Sequence, residues 1–320
     1  MRIFFIVGCA VMFLFNALYA NEIYQFIPAN SQQVLQVNLN AVAGMETIQQ
    51  DLVRNINRQT GLDPKNEKLQ NFGSLVERLV AVTPDLMVDE TFIFVKIKIP
   101  EAEFCRKIEE LTGSKLVPLP GTKPVERRFT LEGNQVFPGV ALKKRTFAVM
   151  FLSGNVAVFA KNDLSNYRKI NKGPGISEQL RKELNPPKAL AAGFVVFTAD
   201  FLAENPYLPQ IRRARYALSA EKDGSLRIKA SAVCPDKKMA KQTLAQVQQF
   251  VMVGGMMLNQ LDPELMQEWI TSVRVGRDKN EVAVNAFFTR DFINRLAAAS
   301  EKLTAEPQAR PEPAGEGKKR

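Results

Sequence analysis

The stretch that decides the fold is Phe92–Leu111, FIFVKIKIPEAEFCRKIEEL. Its first eight residues alternate. Ile93, Val95, Ile97 and Ile99 fall on one face, and Phe92, Phe94, Lys96 and Lys98 on the other, which is the period-2 signature of a β-strand. Pro100 ends the strand and suits the first position of a helix, because a proline there loses no needed N–H. Glu101 follows in the first turn, where an acid favours the positive end of the helix dipole. Phe104, Ile108 and Leu111 then recur at helical spacing as a buried stripe, and Gly113 is placed as the C-cap.

The same corner returns at Ser225–Leu244, SLRIKASAVCPDKKMAKQTL, about 135 residues later. The likeness extends outward. Val156-Ala157-Val158-Phe159-Ala160 is matched by Val282-Ala283-Val284-Asn285-Ala286, about 126 residues apart. Both halves read as strand–helix, then strand, Pro corner and helix, then hairpin and helix. The expected fold is therefore α+β: two similar lobes of antiparallel sheet with helices packed on one face, related by an internal duplication. Boundaries follow as a leader over 1–20, an N-terminal lobe over 21–190, a C-terminal lobe over 191–303 and a disordered tail over 304–320. The tail has no apolar residue larger than alanine and cannot bury a core.

Between these landmarks, Val34–Leu39 reads as a strand. Met45, Ile48, Leu52 and Ile56 follow at helical spacing up to Gly61, and Leu69–Val82 reads as a further helix ending at Thr83-Pro84. Arg127–Leu131, Val136–Leu142 and Thr146–Leu152 read as sheet segments, and Ser153-Gly154-Asn155 as a hairpin turn. Asp163–Ile170 and Ser177–Leu184 read as helices. The second half opens with the strand Phe194–Phe197 and a helix-like Asp200–Arg213 interrupted by prolines. The hairpin Tyr216–Ala220/Leu226–Val233 follows, turned by Glu221-Lys222-Asp223-Gly224. A long helix carries Met239 to Leu261, the hairpin of Val273–Val275 and Val282–Phe288 comes next, and Asp291–Leu303 is the last helix.

The N-terminus has Arg2, an apolar run from Ile3 to Phe15, and a small residue at the cut after Ala20, the pattern of a secretory signal peptide. The alternative is an uncleaved anchor, since Ile3–Ala20 approaches the ~20 residues that span a bilayer. Ile6-Val7-Gly8-Cys9 imitates a lipoprotein box, but the apolar core lies mostly after Cys9. The expected location is thus the periplasm, envelope or exterior.

The chain carries 43 Lys and Arg against 33 Asp and Glu, a formal +10. Such an excess attracts anionic surfaces, and export makes nucleic acid the least expected of them. There is no histidine. That removes Ser-His-Asp and Cys-His activation, His-bound zinc and His-ligated haem. Past the leader only Cys105 and Cys234 remain, too few for an all-cysteine zinc site or an iron–sulfur cluster. They are expected as two free thiols, because side-by-side lobes would hold their corners apart. No cofactor or metal is expected.

Other motifs carry little chemistry. Gly173-Pro174-Gly175 and Gly254-Gly255 lack phosphate-loop spacing. The pairs Glu109-Glu110 and Asp89-Glu90 point apart along their elements. Ser219 and Lys222 have bare Ser–Lys spacing inside a hairpin turn. The segment Met252–Met266 is more suggestive: Met252, Met256, Met257 and Met266 could line an apolar groove for a lipid tail or partner helix. Methionines at helical spacing usually fill core gaps, and the spacing favours core over groove.

Ile27-Pro28-Ala29-Asn30-Ser31 followed by Val34-Leu35-Gln36-Val37-Asn38-Leu39 resembles a class of exported bacterial proteins of unknown function. These begin with a Pro-Ala-Asp-Thr-like turn and a Val-x-Val-Asn-Leu strand. The resemblance implies fold and export and brings no catalytic residues. The expected function is a non-catalytic envelope or periplasmic binding or assembly module, with an envelope protein or an anionic surface as partner. The alternative is a carrier of an apolar ligand or lipid against the Met-rich helix, and a histidine-free hydrolase stands third.

Overall fold

The computed structural model describes residues 21–39, 75–131, 145–153, 155–173, 175–184, 189–205, 211–221 and 223–305. The leader, the tail from 306 onward, the helix expected over Met45–Ile56 and the segment Val136–Leu142 lie outside them, while Thr304 and Ala305, expected in the disordered tail, belong to the last helix. The fold is α+β, built on one antiparallel sheet of twelve strands. The strands are β1 (Gln33–Asn38), β2 (Val76–Thr83), β3 (Phe92–Ile97), β4 (Val117–Pro118), β5 (Glu126–Leu131) and β6 (Arg145–Leu152), then β7 (Val156–Lys161), β8 (Ala189–Val196), β9 (Arg213–Ala220), β10 (Leu226–Val233), β11 (Val273–Asp278) and β12 (Glu281–Phe288). Helices are α1 (Asn21–Tyr24), α2 (Glu101–Thr112), α3 (Ser165–Ile170), α4 (Glu178–Leu184), α5 (Ala199–Glu204), α6 (Lys237–Leu261), α7 (Pro263–Ser272) and α8 (Arg290–Ala305).

The sheet order is β11-β12-β10-β9-β8-β1-β2-β3-β7-β6-β5-β4. The two halves of the chain meet at the antiparallel pair β1–β8, with Leu35 opposite Gly193. Outward from that pair, one side runs β1-β2-β3-β7-β6 and continues with β5-β4, and the other runs β8-β9-β10-β12-β11. The two halves thus repeat one strand order, but as a single continuous sheet rather than as lobes set side by side.

Helix coverage differs from the expected single face. In the N-terminal half the strands alternate between two cores. Phe92, Phe94, Val156 and Val158 meet Ile23, Tyr24, Leu164, Tyr167 and Leu184 from α1, α3 and α4 and the turns beside them. Val95, Ile97 and Ala157 on the opposite face meet Phe104 and Ile108 of α2. In the C-terminal half, Ala286 and Phe288 pack on Leu265 of α7 and Phe292 of α8. Val282 packs beside Cys234 on Ala240 of α6. The other side of β9–β12 turns Arg215, Arg227, Lys229, Arg274 and Asn285 to solvent.

Two local expectations are also overturned. Among its described residues the helix-like stretch Asp200–Arg213 is a helix only over Ala199–Glu204, and Arg213 begins strand β9. Residues 76–83 are strand β2, not the end of a helix, and their burial alternates strictly. Val76, Val80, Val82 and Thr83 are β-branched and lose rotamer freedom in a helix, whereas a place between β1 and β3 buries them. At the first corner Pro100 is the N-cap residue and Gly113 is the C-cap in the left-handed region, its N–H bonded to Glu109. At the second, Asp236 is the N-cap, its carboxylate accepting from the Met239 N–H at 2.8 Å. Pro235 therefore sits one place earlier than Pro100, because aspartate can cap with its own side chain.

Candidate functional site

The Met-rich segment forms a helical hairpin. α6 runs 25 residues and stops at Asp262, whose N–H bonds to the Leu258 carbonyl. The Asp262 carboxylate then accepts from the Glu264 N–H at 2.9 Å, and Pro263 opens α7. One residue thus closes one helix and caps the next.

The hairpin is held by Trp269, the chain's single tryptophan. Its Nε1 donates to the Val251 carbonyl at 2.8 Å, and its ring stacks on Phe288 with centroids 5.5 Å apart. Phe288 stacks in turn on Phe292 at 4.7 Å. The indole lies over Gly254 and Gly255: a Cβ at either would meet its ring at 3.3 Å. The two glycines let α7 approach, and Trp269 fills the space beneath. On α8, Arg295 is ion-paired to Glu264 at 2.8 Å and Glu268 at 2.9 Å of α7, which ties the hairpin to the last helix.

The outer side of this hairpin is apolar and exposed. Phe250, Met252, Val253, Met256 and Met257 on α6 and Ile270 on α7 keep between 41 and 60 % of their surface in contact with solvent. The core reading of these methionines therefore fails for Met252, Met256 and Met257. Met266 does not join them; it lies on α7 and is half-buried. Sequence periodicity missed the exposure because α6 is apolar on most of its circumference. Val247, Val251 and Leu258 already supply the inner side, so the remaining apolar residues must face out.

Charge is arranged along the same helix. α6 carries Lys237, Lys238 and Lys241 and no acidic residue. Seven-, eleven- and four-residue steps place Lys238, Lys241, Ala245, Met252 and Met256 along one exposed side. An exposed apolar patch of this kind marks an interaction surface, and the lysines extend the same side of the helix toward its start. The basic run Arg212-Arg213-Ala214-Arg215 goes elsewhere: Arg213 is bonded to Glu183, and Arg215 pairs with Glu281 at 2.9 Å on the opposite side of the sheet.

The remaining candidates are structural. The Leu116 N–H donates to Glu109, while Glu110 pairs with Lys107 at 3.0 Å, so the two carboxylates diverge. Glu90 accepts from Asn166. Lys222 and Pro174 lie outside the described residues. Cys105 and Cys234 are both free; Cys234 is buried and its Sγ lies 3.5 Å from Thr243 Oγ1. Burial pushes the Cys105 thiol up, the opposite of an activated nucleophile. Among the described residues no group of three or more Cys, Asp or Glu side chains could hold a metal, and no helix is long and apolar enough to cross a membrane.

No protein-family model and no curated protein sequence matches the chain. Two solved structures of the protein TP0453 resemble it in fold. Crystal form III superposes with a TM-score of 0.51 at 8 % identity, over 88 % of this chain and 99 % of that one. Crystal form I gives 0.49 at 10 % identity, over 90 % and 100 %.

Proposed function

We propose that this is an exported, non-catalytic module of the cell envelope that docks on an anionic lipid surface through the outer face of the α6–α7 hairpin. The observation that carries the reading is the exposure of Phe250, Met252, Met256 and Met257 on a helix with three lysines and no acid. An interfacial helix has this composition: apolar side chains enter the headgroup boundary while lysines meet anionic lipid. The leader Arg2–Ala20 supports export. The carrier alternative would need a hollow beneath the methionines, where Trp269 and Leu258 instead pack with Leu265 and Phe292. The matching strand orders on either side of the β1–β8 pair support an internal duplication, with the halves meeting in one sheet.

Co-sedimentation of the mature chain with vesicles tests the docking. Burying half of a large apolar side chain contributes roughly 1 kcal/mol, so Met252→Ser with Met256→Ser should weaken binding at least tenfold. Binding to anionic vesicles should fall as salt rises, since exposed charges are screened. Equal retention on neutral and anionic vesicles, or no effect of the double change, would refute the assignment.

A further inference from the structure

A second site, independent of lipid docking, lies inside the N-terminal half. Arg78 on β2 has no exposed surface. Its Nη1 donates to the Tyr24 hydroxyl at 3.1 Å and to Gln36 Oε1 at 3.3 Å. Tyr24 also donates to Gln36, whose Nε2 donates to the Leu184 carbonyl at 2.7 Å. The other two nitrogens of the guanidinium, Nε and Nη2, have no hydrogen-bond partner among the described residues. These two form the edge whose parallel N–H bonds match the two oxygens of a carboxylate or phosphate. Burial lowers the Arg78 pKa, with Tyr24 and Glu77 opposing the shift through space, but a guanidinium stays charged at any ordinary pH. A buried guanidinium edge left without an acceptor carries a desolvation cost that an oxyanion would relieve.

The repeated strand order supplies a comparison within the molecule. Setting Pro100 on Pro235 sets Lys96 on Ser231. Lys96 pairs across the sheet with Arg78, and Ser231 pairs with Arg215. Arg78 and Arg215 therefore hold equivalent places on the same sheet face. At Arg215 the Nε–Nη2 edge is full: Nε donates to Ser231 Oγ at 2.8 Å and Nη2 to Glu281 Oε1 at 2.9 Å. At Arg78 the same edge is open, and the place of Ser231 is taken by a lysine. Asn38, itself buried, flanks Arg78 on the other strand. The register of β2 also shifts between Val76 and Arg78, a bulge of the kind that re-aims a side chain.

We propose that the Nε–Nη2 edge of Arg78 receives a small oxyanion, a carboxylate or phosphate, in the role that Glu281 plays at Arg215. Tyr24 and Gln36 fix the guanidinium from its far side, so the edge is held ready. A site with no exposed surface admits a small anion only, or the end of a larger ligand that enters as the sheet breathes.

The test is the melting temperature of the mature chain at fixed pH and ionic strength, with inorganic phosphate or formate replacing chloride. The wild-type protein should melt roughly 5 °C higher at a hundredfold excess over Kd. Whichever anion acts at the lower concentration identifies phosphate or carboxylate as the source. Arg78→Met should abolish the rise and Arg215→Met should keep it. If Arg78→Met does not fold, line broadening of the 31P signal of phosphate by the wild-type protein, relieved by formate, carries the test alone. A wild-type melting temperature indifferent to both anions, with no 31P broadening, would overturn the site. So would a rise of equal size in Arg78→Met.

Discussion

Replacing Gly254 by alanine should destabilise the protein, although the change favours the helix. The Cβ introduced would lie 3.3 Å from Trp269 Cζ2, 3.5 Å from Cε2 and 3.6 Å from Nε1. The ring has little room to yield, because Nε1 is bonded to Val251 and the face is stacked on Phe288. Helix propensity favours alanine over glycine by about 1 kcal/mol. Overpacking of a filled contact costs about 1–3 kcal/mol. The net effect is a loss of up to about 2 kcal/mol. The sign should reverse when Trp269 is phenylalanine: the closest atom, Cζ2, belongs to the benzo ring that phenylalanine lacks, and the smaller ring loses the Nε1 bond that holds it in place. In that background Gly254→Ala should stabilise by about 0.5–1 kcal/mol, a coupling of roughly 0.5–3 kcal/mol between two residues in contact. Urea unfolding of the four proteins, followed by far-UV circular dichroism, measures it. If Gly254→Ala stabilises both backgrounds equally, Trp269 does not set the approach of α7 to α6.

Two further outcomes concern titrating groups. Burial raises the pKa of Tyr24, Tyr167 and Tyr216 above the ordinary phenol value. A pKa raised on folding contributes stability that is complete below the unfolded value of about 10 and is lost as pH climbs toward the folded value. The melting temperature should therefore fall above about pH 10, and phenolate absorbance should lag in the native protein relative to the unfolded one. A native titration that coincides with the unfolded one would contradict the burial of these rings. Cys105 should react with a thiol reagent slowly at neutral pH and faster as pH rises, because burial holds its thiol protonated, while buried Cys234 stays silent until unfolding. The denatured, unreduced mature chain should show two reactive thiols; finding none would mean a disulfide and a different arrangement of the two corners.

Much of the fold was legible wherever one residue type had one job. The hairpin Arg145–Lys161 turns at Asn155, which adopts positive φ, as the Ser-Gly-Asn sequence implies. The hairpin of β9 and β10 and the start of α6 followed from Gly224 and Asp236 in the same way. β8 was read too short, at Phe194–Phe197. Its first half, Ala189-Leu190-Ala191-Ala192-Gly193, has little strand propensity and is a strand because it is buried between β1 and β9. The joining of the halves into one sheet escaped for a related reason. Gln33–Asn38 and Ala189–Val196 pair through backbone bonds, and nothing in their side chains names the partner. The hairpin's outer face was legible in composition but not in orientation, since periodicity alone does not say which side of an apolar helix meets the sheet. Arg78 lies within Leu69–Val82, the segment whose spacing suggests a helix; its place on a central strand is what buries it.

The β1–β8 pair has a consequence for how the chain is made. β1 is complete early and β8 follows more than 150 residues later. Until Ala189–Val196 arrives, the finished N-terminal half presents Val34, Leu35, Val37 and their unpaired backbone as an open edge, a template for any extended chain nearby. A polypeptide emerging from a membrane channel in N-to-C order would carry that edge through most of its passage. Under the proposed export, the interval between the two strands sets how long that edge stays open.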